Sequence, residues 1–148
     1  MLKRFTFNLF AAASVVLATT SAQAIGSDKI INLPLPNMAW EQTPEGVEFA
    51  PLDGDRFDEA YMAMVRLPAG LVSPPHIKSA NMFGIVVSGT MLHLAQNTND
   101  AAPETPLPEG SFYKIPAGLP HVSKCISSKD CVTFLYQDGQ FDFLPVNK

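Results

Sequence analysis

Three histidines, one lysine and one pair of cysteines carry most of the chemistry that this chain of 148 residues could perform. His76 closes the run Gly70-Leu-Val-Ser-Pro-Pro-His76-Ile-Lys78, and Gly89 follows it in a turn-like setting. His121 closes a second spaced run, Gly110-Ser-Phe-Tyr-Lys-Ile-Pro116-Ala-Gly118-Leu-Pro-His121, and His93 lies between the two. Neutral imidazole suits Zn, Cu, Fe or Ni, and a working site ordinarily has three protein donors. His76, His121 and His93 together would supply three. Each also has a plainer reading, as a core or strand histidine with a hydrogen-bonded ring. Lys78 is either an ammonium that snorkels to water, or an anchor for a substrate carboxylate, or an amine of lowered pKa. Met82 and Met91 are packing residues or parts of a ligand pocket, and a thioether ligand at Met82 would favour Cu(I).

Other chemistry is missing from the chain. There is no G-x-S-x-G elbow, no H-E-x-x-H and no phosphate-cradling glycine loop. Asp53, Asp55 and Asp58 read as a solvated acidic loop, and their spacing does not match an EF-hand. Residues 1–24 have the form of a secretory signal peptide: Lys3 and Arg4, an apolar run from Phe5 to Thr19, then Ala22-Gln-Ala24. The run is short for a membrane span and is interrupted by Asn8. The expected mature domain is 25–148, periplasmic or secreted. In that compartment Cys125 and Cys131 read as a disulfide, because their C-x5-C spacing is wrong for a redox C-x-x-C. Removing Lys3 and Arg4 from ten basic residues, with all fourteen acidic residues kept, leaves a mature charge of −6. Such a surface argues against nucleic acid and anionic lipid, so no membrane contact is expected after signal cleavage. Small molecules and proteins remain as partners.

The elements that must position these groups are strands. Helical periodicity is absent from the mature chain, and thirteen prolines sit mostly at the edges of short β-branched or aromatic runs. Strands are predicted at 30–33, 38–41, 47–51, 60–67, 73–78, 82–88, 91–94, 111–115, 121–125, 131–137 and 141–146, with a polar, Pro-rich loop over 96–109. A two-residue turn at Ser88-Gly89 would pair Val86 with Met91, Gly84 with His93 and Met82 with Ala95. In that register Met82, Val86, Met91 and His93 share one face, and Gly84 leaves room for the His93 ring. Alternation on the later strand puts His121, Ser123 and Cys125 on one face. The N-terminal strands offer an edge through which a homodimer could form.

Many short strands fit a sandwich or a barrel. The two spaced runs, together with Ser-Pro-Pro-His76, Gly84-Ile-Val-Val-Ser-Gly89-Thr and Tyr136-Gln-Asp-Gly-Gln-Phe-Asp-Phe143, resemble the cupin superfamily, and within it a group of bacterial cupins of unknown function. The resemblance implies an all-β fold, a double-stranded β-helix (jelly-roll, cupin barrel), with one interior pocket. Metal-bound cupins ordinarily place two histidines and a glutamate in the first motif and one histidine in the second. His76 and His121 match that pattern. Lys78 replaces the second histidine, Met82 the glutamate, and Cys125 a frequent asparagine. The resemblance therefore implies an exported cupin binding a small molecule, with a degraded or remodelled metal site. Its cofactor is at most one divalent transition metal, of unidentified kind, or none. The alternatives are a metal-dependent enzyme of oxygenase or isomerase type with non-standard ligands, and a non-catalytic interaction or assembly module.

Overall fold

A computed structural model of the chain describes residues 29–96 and 104–146. The expected signal peptide over 1–24 and part of the Pro-rich loop lie outside the described residues. The strands are β1 (Glu41–Gln42), β2 (Glu48–Asp53), β3 (Tyr61–Leu67), β4 (His76–Ile77), β5 (Met82–Ser88), β6 (Met91–Ala95), β7 (Phe112–Ile115), β8 (His121–Cys125), β9 (Cys131–Gln137) and β10 (Leu144–Pro145). One short 3-10 turn covers Leu35–Asn37, after Pro34. No helix among the described residues is long and apolar enough to cross a membrane.

Two antiparallel sheets face each other. Six strands run β1-β2-β3-β9-β5-β7 and four run β10-β4-β8-β6. This is a jelly roll. The longest strands, β3, β5 and β9, are rich in branched, aromatic and methionine side chains; β9 alternates cleanly, burying Cys131, Thr133, Leu135 and Gln137, whereas β3 buries Ala63, Met64 and Val65 in succession. Phe49, Tyr61, Ala63, Val65, Val86, Met91, Tyr113 and Leu135 form much of the apolar centre.

The expected β5–β6 hairpin is not formed. β5 pairs with β7 and β9, whereas β6 pairs with β8 in the other sheet. The register of β5 against β9 shifts between Val86 and Ser88, and such a bulge bends a strand. Gly89 then turns the corner with φ 81°, where a Cβ would stand 2.9 Å from Cys131 Sγ and from Ser127 Oγ. The facing of the side chains survives this correction, since Val86 and Met91 are buried and Met82 packs against the core. The room at Gly84 does not go to His93. It goes to Tyr113, the cross-strand partner of Gly84.

The outermost predicted strands shorten. Residues 30–33 join no strand, 38–41 contributes only Glu41 to β1, and 73–78 shrinks to His76–Ile77 behind Pro74 and Pro75, which lack N–H groups. At the C-terminal end only Leu144 and Pro145 pair, because Phe141 and Phe143 turn inward as side-chain packing. Cys125 and Cys131 are joined in a disulfide that ties β8 to β9.

Candidate functional site

Two neighbouring strands of the smaller sheet bring two of the histidines together. His76 on β4 and His121 on β8 are cross-strand partners, with ring centroids 4.2 Å apart. His93 on β6 lies opposite Ser123, and its Nδ1 is 2.9 Å from Ser123 Oγ. Its ring rests 4.3 Å from Tyr113, which reaches across from the larger sheet.

The first two imidazoles have fixed tautomers. His76 donates Nδ1–H to the Pro74 carbonyl (2.9 Å), and His121 donates Nδ1–H to the Leu119 carbonyl (3.0 Å). In each neutral ring Nε2 is then an acceptor. Burial drives the pKa of His76 and of His93 down to about 4. His121 is lowered as well, by burial and then by the nearby Lys78. At neutral pH all three are uncharged.

His76, Lys78, Met82, Met91 and His93 line one cavity of about 80 Å³ between the sheets. His121 does not line it but is buried directly behind His76. Val47, Phe49, Val65, Leu67, Leu135 and Phe141 give the cavity a largely apolar wall. Lys78 is only 5% exposed. Its Nζ donates to the Asp142 carbonyl and sits 3.9 Å from the centroid of the Phe141 ring. Burial lowers the pKa of its amine to about 8, opposed by Asp142 and Glu45.

Several lining residues escaped the sequence reading. Thr43 and Glu45 arrive from the β1–β2 turn, and Glu45 acts electrostatically on both His76 and Lys78. Phe143 stacks on His76 with centroids 4.3 Å apart. Tyr113, Ser123 and Phe141 complete the wall near His93 and Lys78. The signal for Phe141, Asp142 and Phe143 was present in Tyr136-Gln-Asp-Gly-Gln-Phe-Asp-Phe143, whose inward path no local pattern reveals. Two buried polar atoms of lining residues, Thr43 Oγ1 and His93 Nε2, have no hydrogen-bond partner, and neither has His121 Nε2.

A family model, Domain of unknown function (DUF4437), matches residues 23–148. The chain belongs to that family. No curated protein shows significant similarity to it. Among solved structures, an oxalate oxidase is 21% identical at a TM-score of 0.61, covering 82% of this chain and 66% of its own. The Cnp3 cupin domain of Schizosaccharomyces pombe is 17% identical at 0.61, covering 76% of each chain. The capsular polysaccharide assembling protein CapF of Staphylococcus aureus is 20% identical at 0.57, covering 74% of this chain and 34% of its own. The DUF4437 domain thus has a cupin fold.

The resemblance to metal-bound cupins implies a transition-metal site at this place in the fold. The donors here do not fit such an ion. Among the described residues, no group of three or more His, Cys, Asp or Glu side chains is placed to hold one. The cavity instead presents an amine at Lys78 and a thioether at Met82. A lysine that is protonated at pH 7 repels a dication.

Proposed function

We propose that this is an exported binding protein that holds a small organic acid bearing a hydroxyl inside its barrel, with the family metal site remodelled into a ligand site. The observation that carries this reading is the pair of unpartnered polar atoms, His93 Nε2 and Thr43 Oγ1, on residues that line the same apolar cavity as Lys78. A buried polar atom without a partner costs about 1–3 kcal/mol, so a polar ligand or ordered water is favoured there. A hydroxyl both donates and accepts, and therefore satisfies His93 in either tautomer. The Lys78 ammonium supplies the counter-charge for a carboxylate. Among the fold relatives, an oxalate oxidase is seen in complex with glycolate as a substrate analogue, a small hydroxy acid of this kind. Export is supported by the Cys125–Cys131 disulfide, which persists in oxidising compartments.

The cavity limits the ligand. At about 10–15 Å³ per water-sized position, 80 Å³ admits only a few heavy atoms. With a ceiling of about 1.5 kcal/mol per heavy atom, a ligand of about five such atoms binds no tighter than micromolar. Calorimetric titration with glycolate and lactate tests the reading. Saturable binding is expected, weakened at least about tenfold in Lys78→Met and in His93→Phe. Absence of heat with every small hydroxy acid, from a folded wild type, would sink it.

A further inference from the structure

Among the described residues Lys78 is the only buried lysine, and it lines the cavity between the sheets. Its surroundings are poor in partners for an ammonium. Nζ has one hydrogen-bond acceptor, the Asp142 carbonyl, and faces the rings of Phe141 at 3.9 Å and Phe143 at 5.4 Å. Among the described residues no ion pair joins it to a carboxylate. The Asp142 carboxylate accepts instead from the Ser79 N–H, 3.1 Å from each oxygen. Glu45, in the β1–β2 turn, acts on Lys78 through space.

An ammonium has three donors to satisfy, and the wall of Val65, Leu67, Leu135 and Phe141 accepts from none of them. Such surroundings disfavour the charged form and keep part of the lysine as free amine, a nucleophile toward carbonyl carbon. The same cavity holds the groups that a carbonyl acid would need next. His93 Nε2 and Thr43 Oγ1 are buried there without partners. The Thr43 O–H can donate to a carboxylate, and so can His93 Nε2–H in the tautomer whose Nδ1 accepts from Ser123.

We propose that Lys78 captures a small 2-oxo acid covalently, as an imine at Nζ whose carboxylate is held by Thr43 and His93. The imine rests on the reading of this cavity as a site for a small organic acid, and extends it from the hydroxy acid to its oxidised form.

The step balances without a cofactor. The Nζ lone pair attacks the carbonyl carbon, and the C=O π pair becomes the hydroxyl of a carbinolamine, taking up a proton that Nζ releases. That hydroxyl then leaves with the second N–H proton as water, and the C=N bond remains. Protonated as an iminium, the adduct keeps the positive charge that Asp142 and Glu45 favour at Lys78. It also has one oxygen fewer than the free acid, which suits a cavity of about 80 Å³. The apolar wall keeps out the water that would hydrolyse the bond. A covalent bond is not subject to the affinity ceiling that so few non-covalent contacts impose.

The test is reductive trapping on the purified full chain, with glyoxylate and cyanoborohydride, read by peptide mass mapping. Cyanoborohydride reduces an imine to a stable secondary amine, so each lysine reports its own imine. Lys114 and Lys129 are exposed and serve as internal references. Exposure alone would label them first and Lys78 last. The expected result is labelling of Lys78 at least about tenfold faster than either reference, with that preference lost in urea. Acetaldehyde, which has no carboxylate for Thr43 and His93 to hold, is expected to show no preference for Lys78. Labelling of Lys78 no faster than the references, a preference that persists in urea, or an equal preference with acetaldehyde overturns the proposal. Calorimetry with glycolate separates the two readings. Heat with glycolate but no fast trapping at Lys78 keeps the acid site and removes the imine. Fast trapping without heat from glycolate keeps the imine and removes the hydroxy acid.

Discussion

Substituting Gly84 by alanine is the sharpest probe of how the two sheets meet at the site. A Cβ at Gly84 would stand 2.2 Å from Tyr113 Cζ, 2.4 Å from its Oη and 2.5 Å from its Cε1. Ordinary carbon contacts lie near 3.5–4.0 Å, so the ring must move by more than about 1 Å. Tyr113 has no free direction to take. It is buried, its O–H donates to Thr133 Oγ1 at 3.3 Å, and its face carries the His93 ring. Overpacking costs about 1–3 kcal/mol, and a displaced hydroxyl bond adds about 1 kcal/mol. The lower chain entropy of alanine in a strand returns about 0.5–1 kcal/mol. The net expectation is a loss of about 2–3 kcal/mol, or a melting temperature lower by about 10 °C for a domain of this size.

The assay is a double-mutant cycle by urea denaturation. Tyr113→Val alone opens space and costs its own core contacts. Combined with Gly84→Ala, it removes the collision, so the pair should be less damaging than the two separate losses together by about 1.5–2 kcal/mol. Strict additivity, or a Gly84→Ala protein within about 0.5 kcal/mol of wild type, would refute the reasoning. It would mean that Tyr113 lies elsewhere and that His93 has lost its support.

Stability should also fall as pH drops from 6.5 towards 4. His76 and His93 have native pKa values of about 4, below the unfolded value of 6.5, so the unfolded chain takes up protons first. For His93 alone the loss is about 3 kcal/mol, and His93→Phe should flatten the dependence of the melting temperature on pH. A flat profile between pH 7 and 5 in wild type would contradict the neutral burial of these rings. Elemental mass spectrometry should find metal far below one equivalent, and a near-stoichiometric ion lost in His121→Ala would restore the metalloenzyme. Replacing Cys125 and Cys131 by serine should cost about 2 kcal/mol for a separation of six residues, read as a lower denaturation midpoint.

Much of the architecture was legible because it rests on local chemistry. The strands 82–88, 121–125 and 131–137 are found at those bounds, since branched and aromatic runs bounded by Gly, Pro and Asp have few other ways to fold. The disulfide followed from two nearby cysteines. The two glycine-spaced runs single out His76 and His121, which the structure makes cross-strand partners. The inward facing of Met91 and His93 rests, in the sequence, on a β5–β6 hairpin that does not form. At the chain ends the same signals failed. Ile30–Leu33 has strand composition but no ladder to join within the described residues, and Pro74-Pro75 cuts the strand around His76 short.

What only the tertiary structure decided is who meets whom. Val86 and Met91 are close in sequence, yet their strands belong to different sheets, because a bulge and the Gly89 corner send Val86 to Thr133 and Met91 to Cys125. Gly84 was made for a ring, but the ring is that of Tyr113. Glu45, Phe141 and Phe143 reach the cavity from segments without a periodic signal. The sequence by itself determined which residues prefer strands and which face each presents, for those are properties of neighbours along the chain. The pairing of strands, and with it the cavity of neutral imidazoles beside a buried lysine, depends on contacts distant in sequence, and packing between the sheets selected them.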